Sequence, residues 1–541
     1  MKKIISLVLA LCMLLMVGAA FAATGDLTAD SSISITGLEE NDSVYLYKVI
    51  EVDSTTGGWK FASGFEALGT EGNDNYSSNV KKIVDNDISF TGLTKEDAEK
   101  IAKLAKAATA PSADTVPAGG TYTKTVVPGM YLALVAPVDA NTIYNPIIVS
   151  ADYTENDTNS IDTSANLGTS AVTKKETVTI EKETADITLD AGEIVKFTVT
   201  STIPAYAASY VNPKFNVSDS LSTGLKFVVS TEYPFTVESG EVTYTGAPKS
   251  DDTSFTLTFN SAKIAALTAP QAVTITYYAK LTNAAPYNIN EEENNVTVEF
   301  SNNPKDDTAH GHLKDKVKEY TFSIDGTLFG NSDWTTGELI KVGKDANGNP
   351  IEALINLDNG SEHAALDGAV FGLYKTEADA IAENEDYYTN DVFTGTVTTA
   401  NGGLMNIKGL DEGTYYLKEL SAPAGYIRDQ GVHTIDIVAH KTKVTETETL
   451  DDKCVVSYEV EVVDSYTVTI DGKTTSTFEA ELNGSSISSI TPAENTSEIV
   501  NTKGVELPST GGIGTTIFYI LGGLLVVGAA VILIARRKAQ D

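Results

Sequence analysis

The middle of this 541-residue chain is built from short runs in which apolar and polar residues alternate strictly. Residues 178–182 (VTIEK), 193–200 (EIVKFTVT), 215–219 (FNVSD), 255–259 (FTLTF), 273–278 (VTITYY) and 296–300 (VTVEF) all follow this pattern. A period of two belongs to a strand with one buried face, and turn residues separate the runs at regular intervals. Residues 171–322 therefore predict an antiparallel β-sandwich. Runs at 338–342, 368–374, 413–419, 434–438 and 498–501 predict a second such unit over 323–504. Residues 23–170 predict strands at 32–35, 44–50, 121–127, 129–135 and 147–149, and one helix over 94–108. In that helix Thr94 is a good N-cap with Asp97 three residues on, while Ala98, Ile101, Leu104, Ala105 and Ala108 share an apolar face. The expected role of this helix is to cover a sheet. Residues 154–170 are polar and read as a linker. The expected fold is thus mainly β, as tandem sandwich domains with one N-terminal helix.

Several charged groups share the apolar faces of these strands. Lys182 continues the face of Val178 and Ile180, Asp219 that of Phe215 and Val217, and Asn302, rather than Asn303, that of Val296, Val298 and Phe300. The third unit repeats the arrangement, with Lys341 beside Leu339, Glu419 beside Tyr415 and Leu417, and Asn501 beside Ile499. Desolvation lowers a lysine pKa and raises that of a carboxyl group. A neutral amine is a nucleophile, and a protonated carboxyl can polarise an amide and carry a proton to departing ammonia. The expected product is a Lys–Asn side-chain amide in each unit.

The termini constrain the compartment. Met1-Lys2-Lys3 precedes an apolar stretch from Ile4 to Val17 and an Ala20-Phe21-Ala22 site, which together predict a signal peptide over 1–22. Beyond it only Cys454 remains, so no internal disulfide can stabilise the exported part. Residues 513–535 are uncharged and long enough to span a bilayer, with Arg536, Arg537 and Lys538 following as a stop-transfer cluster. A net charge of −36 argues against nucleic acid or an anionic membrane surface as partner. No G-x-S-x-G or H-E-x-x-H set is present, so an enzyme is not expected. His310-Gly-His312 falls in a polar loop, and 345–350 (DANGNP) predicts a hairpin turn rather than a calcium loop. No cofactor and no metal site is expected.

Leu507-Pro508-Ser509-Thr510-Gly511, the apolar span and the basic tail resemble, in that order, the cell-wall sorting signal of Gram-positive bacteria (507–541). In that family a sortase cleaves after the position of Thr510, before Gly511. Residues 413–426 (GTYYLKELSAPAGY) resemble the E-box of Cna B-type domains in sortase-assembled pilins. Residues 366–374 (LDGAVFGLY) and 499–504 (IVNTKG) resemble two of their strands, and 215–225 and 301–304 their middle domain. The resemblance implies a shaft-forming pilin with immunoglobulin-like domains and Lys182–Asn302 and Lys341–Asn501 isopeptide bonds, assisted by Asp219 and Glu419. Implied partners are a sortase, identical subunits, minor pilins and peptidoglycan, with host or neighbouring-cell ligands beyond them. A wall-anchored adhesin or a minor tip or base pilin is the alternative. The first domain echoes the E-box at 128–137 but has no glutamate there, so no crosslink is expected in it. The inter-subunit lysine stays open: family position points to Lys174 or Lys175, sequence likeness to Lys214.

Overall fold

The structure is a computed structural model that describes residues 31–151, 168–325, 339–504 and 513–538. Within these it leaves out 54, 56, 57, 88, 140, 288, 289, 352, 353, 357–361, 365, 401, 451–453, 481–486 and 493–496. The signal peptide, the LPSTG motif and nearly all of the expected linker lie outside the described residues.

In the first unit the strand Ser43–Asp53 pairs with Gly129–Ala136, which in turn pairs with Ile147–Ala151. The helix Lys95–Ala107 lies over this sheet, packing Ile101, Ala102 and Ala105 against Met130, Leu132 and Leu134. Its start is fixed by a reciprocal cap. Asp97 N donates to Thr94 Oγ1 at 3.2 Å and Thr94 N donates to Asp97 Oδ2 at 2.8 Å. The same carboxylate accepts from Ser77 Oγ at 2.6 Å and Asn79 Nδ2 at 2.9 Å. It thereby ties in a second helix, Ser78–Val84, which period and capping alone did not announce.

The middle unit is a sandwich of two sheets. One runs Ile180–Thr184, Ile194–Ile203, Gln271–Leu281, Leu225–Val228, with Thr236–Glu238 also on Gln271–Leu281. The other runs Tyr244–Thr245, Ser254–Phe259, Phe215–Leu221, Glu292–Ser301, His310–Glu319. The last strand corrects the sequence reading, which put His310 and His312 in a loop. His310 pairs with Ser301 across the ladder, and its Nδ1 lies 2.8 Å from Glu299 Oε1.

In the third unit Leu339–Lys344 pairs in parallel with Ser497–Lys503, beside a seven-stranded sheet that includes Val370–Tyr374 and Gly413–Ser421. Gly403, at φ +77°, sits so close that an added Cβ would lie 2.3 Å from the Lys341 carbonyl oxygen. Only glycine lets this turn reach the Lys341 strand, whose N–H donates to Gly403 O at 2.9 Å. Residues 345–350 form the expected turn. Asp345 Oδ1 accepts from the Asn347 and Asn349 N–H groups, at 2.8 Å each. Beyond the described gap at 505–512, the helix Ile513–Lys538 is apolar and long enough to cross a membrane and ends on Arg536, Arg537 and Lys538.

The strand expected at 434–438 is far longer. Val432–Leu450 and Cys454–Ile470 form a hairpin that leaves the third unit and lies against the middle one. Its Glu446 and Glu448 meet the lysines of His310–Glu319. Lys314 Nζ lies 2.6 Å from Glu448, Lys316 Nζ 2.7 Å from Glu446, and Lys318 Nζ 2.9 Å from Glu446. Apolar packing continues across the same boundary, where Phe322 meets Tyr466 at 4.6 Å between ring centroids.

Burial alone would raise the Glu448 carboxyl, but Lys314, Tyr458 and Lys316 hold it down at about 2. A depressed carboxylate stabilises the folded state above its ordinary pKa of 4.5, and that contribution is lost as pH falls towards 2. Hairpin docking should therefore weaken between pH 4.5 and 2 and at high salt, read as faster proteolysis within the hairpin. Glu446→Lys with Glu448→Lys should produce the same several-fold acceleration at pH 7.

Candidate functional site

Two buried lysines, on comparable strands of two successive units, each meet a carboxyl, with an asparagine in the same cluster. In the middle unit the alternation of Ile180–Thr184 turns Lys182 inward, and that of Phe215–Leu221 does the same for Asp219. Both side chains are fully buried, and Lys182 Nζ lies 2.6 Å from Asp219 Oδ2. The asparagine beside them is Asn294, whose Oδ1 accepts from Lys182 Nζ.

Asn302 was the expected partner, and it lies elsewhere. The interior face of Glu292–Ser301 carries Glu292, Asn294, Val296, Val298 and Phe300. Asp219 pairs with Val296, which puts Asn294 on the neighbouring inward rung. Asn302 lies six residues from Val296 in the other direction, about 20 Å along a strand, and past the last paired residue. There its backbone oxygen accepts from Tyr210 Oη at 3.2 Å. Asn294 and Asn302 share one face of the strand, at opposite ends of it. The signal for Asn294 was present in the same alternation, read backwards from Val296.

Burial pushes the Lys182 ammonium down, with Asp219 opposing, and pushes the Asp219 carboxyl up, with Lys182 opposing. Both directions favour a neutral amine beside a neutral acid. Three more groups, none singled out by sequence, complete the surroundings. Tyr277 Oη lies 2.8 Å from Asp219 Oδ2 and 3.1 Å from Asn294 Oδ1. Asp315, pushed up to about 6 by burial, accepts from the Lys182 backbone N–H at 2.7 Å. Burial pushes the Glu319 carboxyl well above its ordinary value.

In the third unit the expected set comes together. Lys341, Glu419 and Asn501 are all wholly buried. Lys341 pairs with Ile499 in the parallel ladder, which brings Asn501 to the adjacent rung. Glu419 Oε2 accepts from Lys341 Nζ at 3.2 Å, Asn501 Nδ2 at 2.8 Å and the Asp429 backbone N–H at 2.8 Å. Asn501 Nδ2 also donates to Ile427 O at 2.9 Å. Burial lowers the Lys341 pKa against the opposing charge of Glu419. Both sets thus hold an amine whose pKa burial lowers beside a carboxyl group and a carboxamide, all shielded from bulk solvent.

The proposed linkage lysines sit at the surface. Lys174 is exposed next to the strand Lys175–Thr177, which pairs with Thr142–Tyr144 of the first unit. Lys175 forms an ion pair with Glu39, and Lys214 one of 2.6 Å with Glu299. Leu507, Pro508, Thr510 and Gly511 are outside the described residues. Among the described residues no group of His, Cys, Asp and Glu has the arrangement of a metal site.

Two family models match the chain: a prealbumin-like fold domain of SpaA type at residues 354–453, and an LPXTG cell wall anchor motif at 499–541. The chain is 26% identical to the trypsin-resistant surface T6 protein of Streptococcus pyogenes serotype M6 over 590 aligned positions, covering 98% of this chain and 99% of the relative. The solved T6 backbone pilin of that serotype superposes with a TM-score of 0.54 at 19% identity, over 88% of this chain and 98% of its own. The major pilin SpaD of Corynebacterium diphtheriae covers 89% of this chain and 100% of its own, at 17% identity and a TM-score of 0.46. The chain thus carries the LPXTG anchor motif of an exported, wall-attached surface protein and a prealbumin-like domain, and along almost its whole length it is similar to the T6 surface protein, whose solved structure is a backbone pilin.

Proposed function

We propose that this chain is the shaft subunit of a covalently polymerised pilus, stiffened internally by Lys182–Asn294 and Lys341–Asn501 amides. The observation that carries this reading is the paired burial of a lysine, an acid and an asparagine in two successive units. In each, the neutral Nζ attacks the asparagine Cγ, and the carbonyl electrons move to Oδ1. The Nζ proton travels by way of the acid to Nδ2, the Cγ–Nδ2 bond breaks, and ammonia leaves. One amine and one carboxamide become one secondary amide, with no cofactor and no oxidant.

Closing loops of this size restricts the unfolded chain by about 5 kcal/mol, on the estimate used for disulfides. The mechanical effect is larger, because tension passes through a covalent tie where no disulfide is possible. Sortase cleavage between Thr510 and Gly511, followed by transfer of Thr510 to a lysine of the next subunit, gives a head-to-tail contact that does not close on itself. For the acceptor we favour Lys174 or Lys175. They lie where the first and middle units meet, whereas Lys214 is held within the middle unit by Glu299. The domain limits used here are 23–170, 171–322 and 323–504.

The intact mass of the exported chain should fall two ammonia molecules short of its sequence mass. Asn294→Ala and Asn501→Ala should each restore one, and Asn302→Ala none; a full mass in the wild type defeats the crosslink reading. Glu419→Ala should also restore one ammonia. It leaves the Asn501 and Asp429 donors buried without their acceptor, a loss of about 2–4 kcal/mol measurable by urea unfolding. Peptide mapping of surface polymers should yield a branched peptide joining Thr510 to Lys174 or Lys175. Monomers alone on the wall would favour an adhesin.

A further inference from the structure

The two sets are alike in one respect and differ in another. Each lysine amine sits over an aromatic ring, Lys182 Nζ 5.4 Å from the centroid of Tyr277 and Lys341 Nζ 5.3 Å from that of Phe371. In the third unit the acid touches the asparagine directly, through Asn501 Nδ2 and Glu419 Oε2. In the middle unit, among the described residues, Asp219 makes no hydrogen bond to Asn294. Its Oδ2 meets Lys182 and Tyr277, and Tyr277 Oη in turn meets Asn294 Oδ1. The hydroxyl that Phe371 lacks spans the gap that the shorter aspartate leaves.

We infer that Tyr277 is a catalytic residue of the middle-unit closure, donating to the oxyanion that forms on Asn294 Oδ1 and joining it to Asp219. This rests on the crosslink reading above. When Nζ bonds to Cγ, the displaced carbonyl electrons settle on Oδ1, 3.1 Å from the Tyr277 hydroxyl in the unreacted arrangement. The proton given up by Nζ passes to Asp219 and on to Nδ2, so Tyr277 begins and ends the reaction with its own proton.

The donor is held in place before the reaction starts. The Tyr277 ring stacks on Phe197 at 5.4 Å and meets Phe227 at 5.3 Å and Phe255 at 5.7 Å edge-on, all within the core. A donor fixed where charge develops, in a site buried from solvent, stabilises the transition state more than the ground state. Burial also raises the tyrosine pKa well above its ordinary value, which keeps the hydroxyl a donor. The third unit supplies a contrasting case: its acid reaches the leaving nitrogen without help and its ring needs no hydroxyl.

The test follows both closures in the same full-length chain, by time-resolved intact mass and peptide mapping after a pulse of synthesis. Tyr277→Phe should slow the Lys182–Asn294 closure about 100-fold, the usual effect of losing one such donor. The Lys341–Asn501 closure should keep its wild-type rate, which reports that the variant has folded. Equal wild-type rates at both positions would overturn the inference. A wild-type chain with no middle-unit ammonia loss would instead bring down the crosslink reading beneath it. As a second variant, 3-fluorotyrosine at 277 keeps the packing and makes the hydroxyl more acidic. It should hold the middle closure at or above the wild-type rate, and a rate as slow as that of Tyr277→Phe also overturns the proposal.

Discussion

A lysine that folding strips of water beside a carboxyl is the constraint on which the middle and third units both depend. An ammonium in a sandwich core costs several kcal/mol of hydration, and a single ion pair returns that only with good geometry. Lys182 and Lys341 have such geometry, with Asp219 and Glu419 within 3.2 Å and every partner buried. Burial lowers the pKa of both lysines, and a lysine without its proton is a nucleophile. The destabilising feature of the fold and its proposed chemistry are thus one feature, which a covalent amide would resolve permanently.

The surroundings differ because the strands differ. In the third unit Lys341 and Asn501 lie on neighbouring parallel strands, and Glu419 reaches them from the facing sheet with a side chain long enough to touch both. In the middle unit Asp219 and Asn294 share one sheet while Lys182 and Tyr277 come from the other. A shorter acid in that arrangement meets the amine, and a tyrosine supplies the remaining reach.

The two units are also bound to each other. Backbone hydrogen bonds cross the boundary, Ala191 N to Gly409 O at 2.9 Å and Asp391 N to Ala191 O at 3.0 Å, and Asp190 accepts from Asp411 N at 2.8 Å. The hairpin Val432–Leu450 and Cys454–Ile470 adds its glutamates to the lysines of His310–Glu319. Such a joint resists bending at the place where two sandwiches meet, which suits a subunit that carries tension along its length.

The alternation of apolar residues determined the sandwich class and the inward direction of Lys182, Asp219, Lys341, Glu419 and Asn501, and the spacing of Thr94 and Asp97 determined the helix cap. These are properties of a strand or a helix taken alone. The sequence also carried the apolar helix at 513–538 and the anchor motif, since a lipid span needs no tertiary partner to be recognised. What only the tertiary structure decided was register and reach. Alternation says which face Asn294 and Asn302 share, and only the pairing of Asp219 with Val296 says which of them meets the lysine. The strand His310–Glu319 was hidden because its outward lysines are buried by a hairpin from another unit. The outer half of the hairpin's first arm was hidden because Thr and Glu alternate there with little apolar signal, whereas Val456, Tyr458, Val460 and Val462 mark the second arm and leave open only the unit it packs on. Alternation puts Tyr277 on the inward face of its strand, and its hydroxyl acquires the proposed role only from two side chains on the opposite sheet.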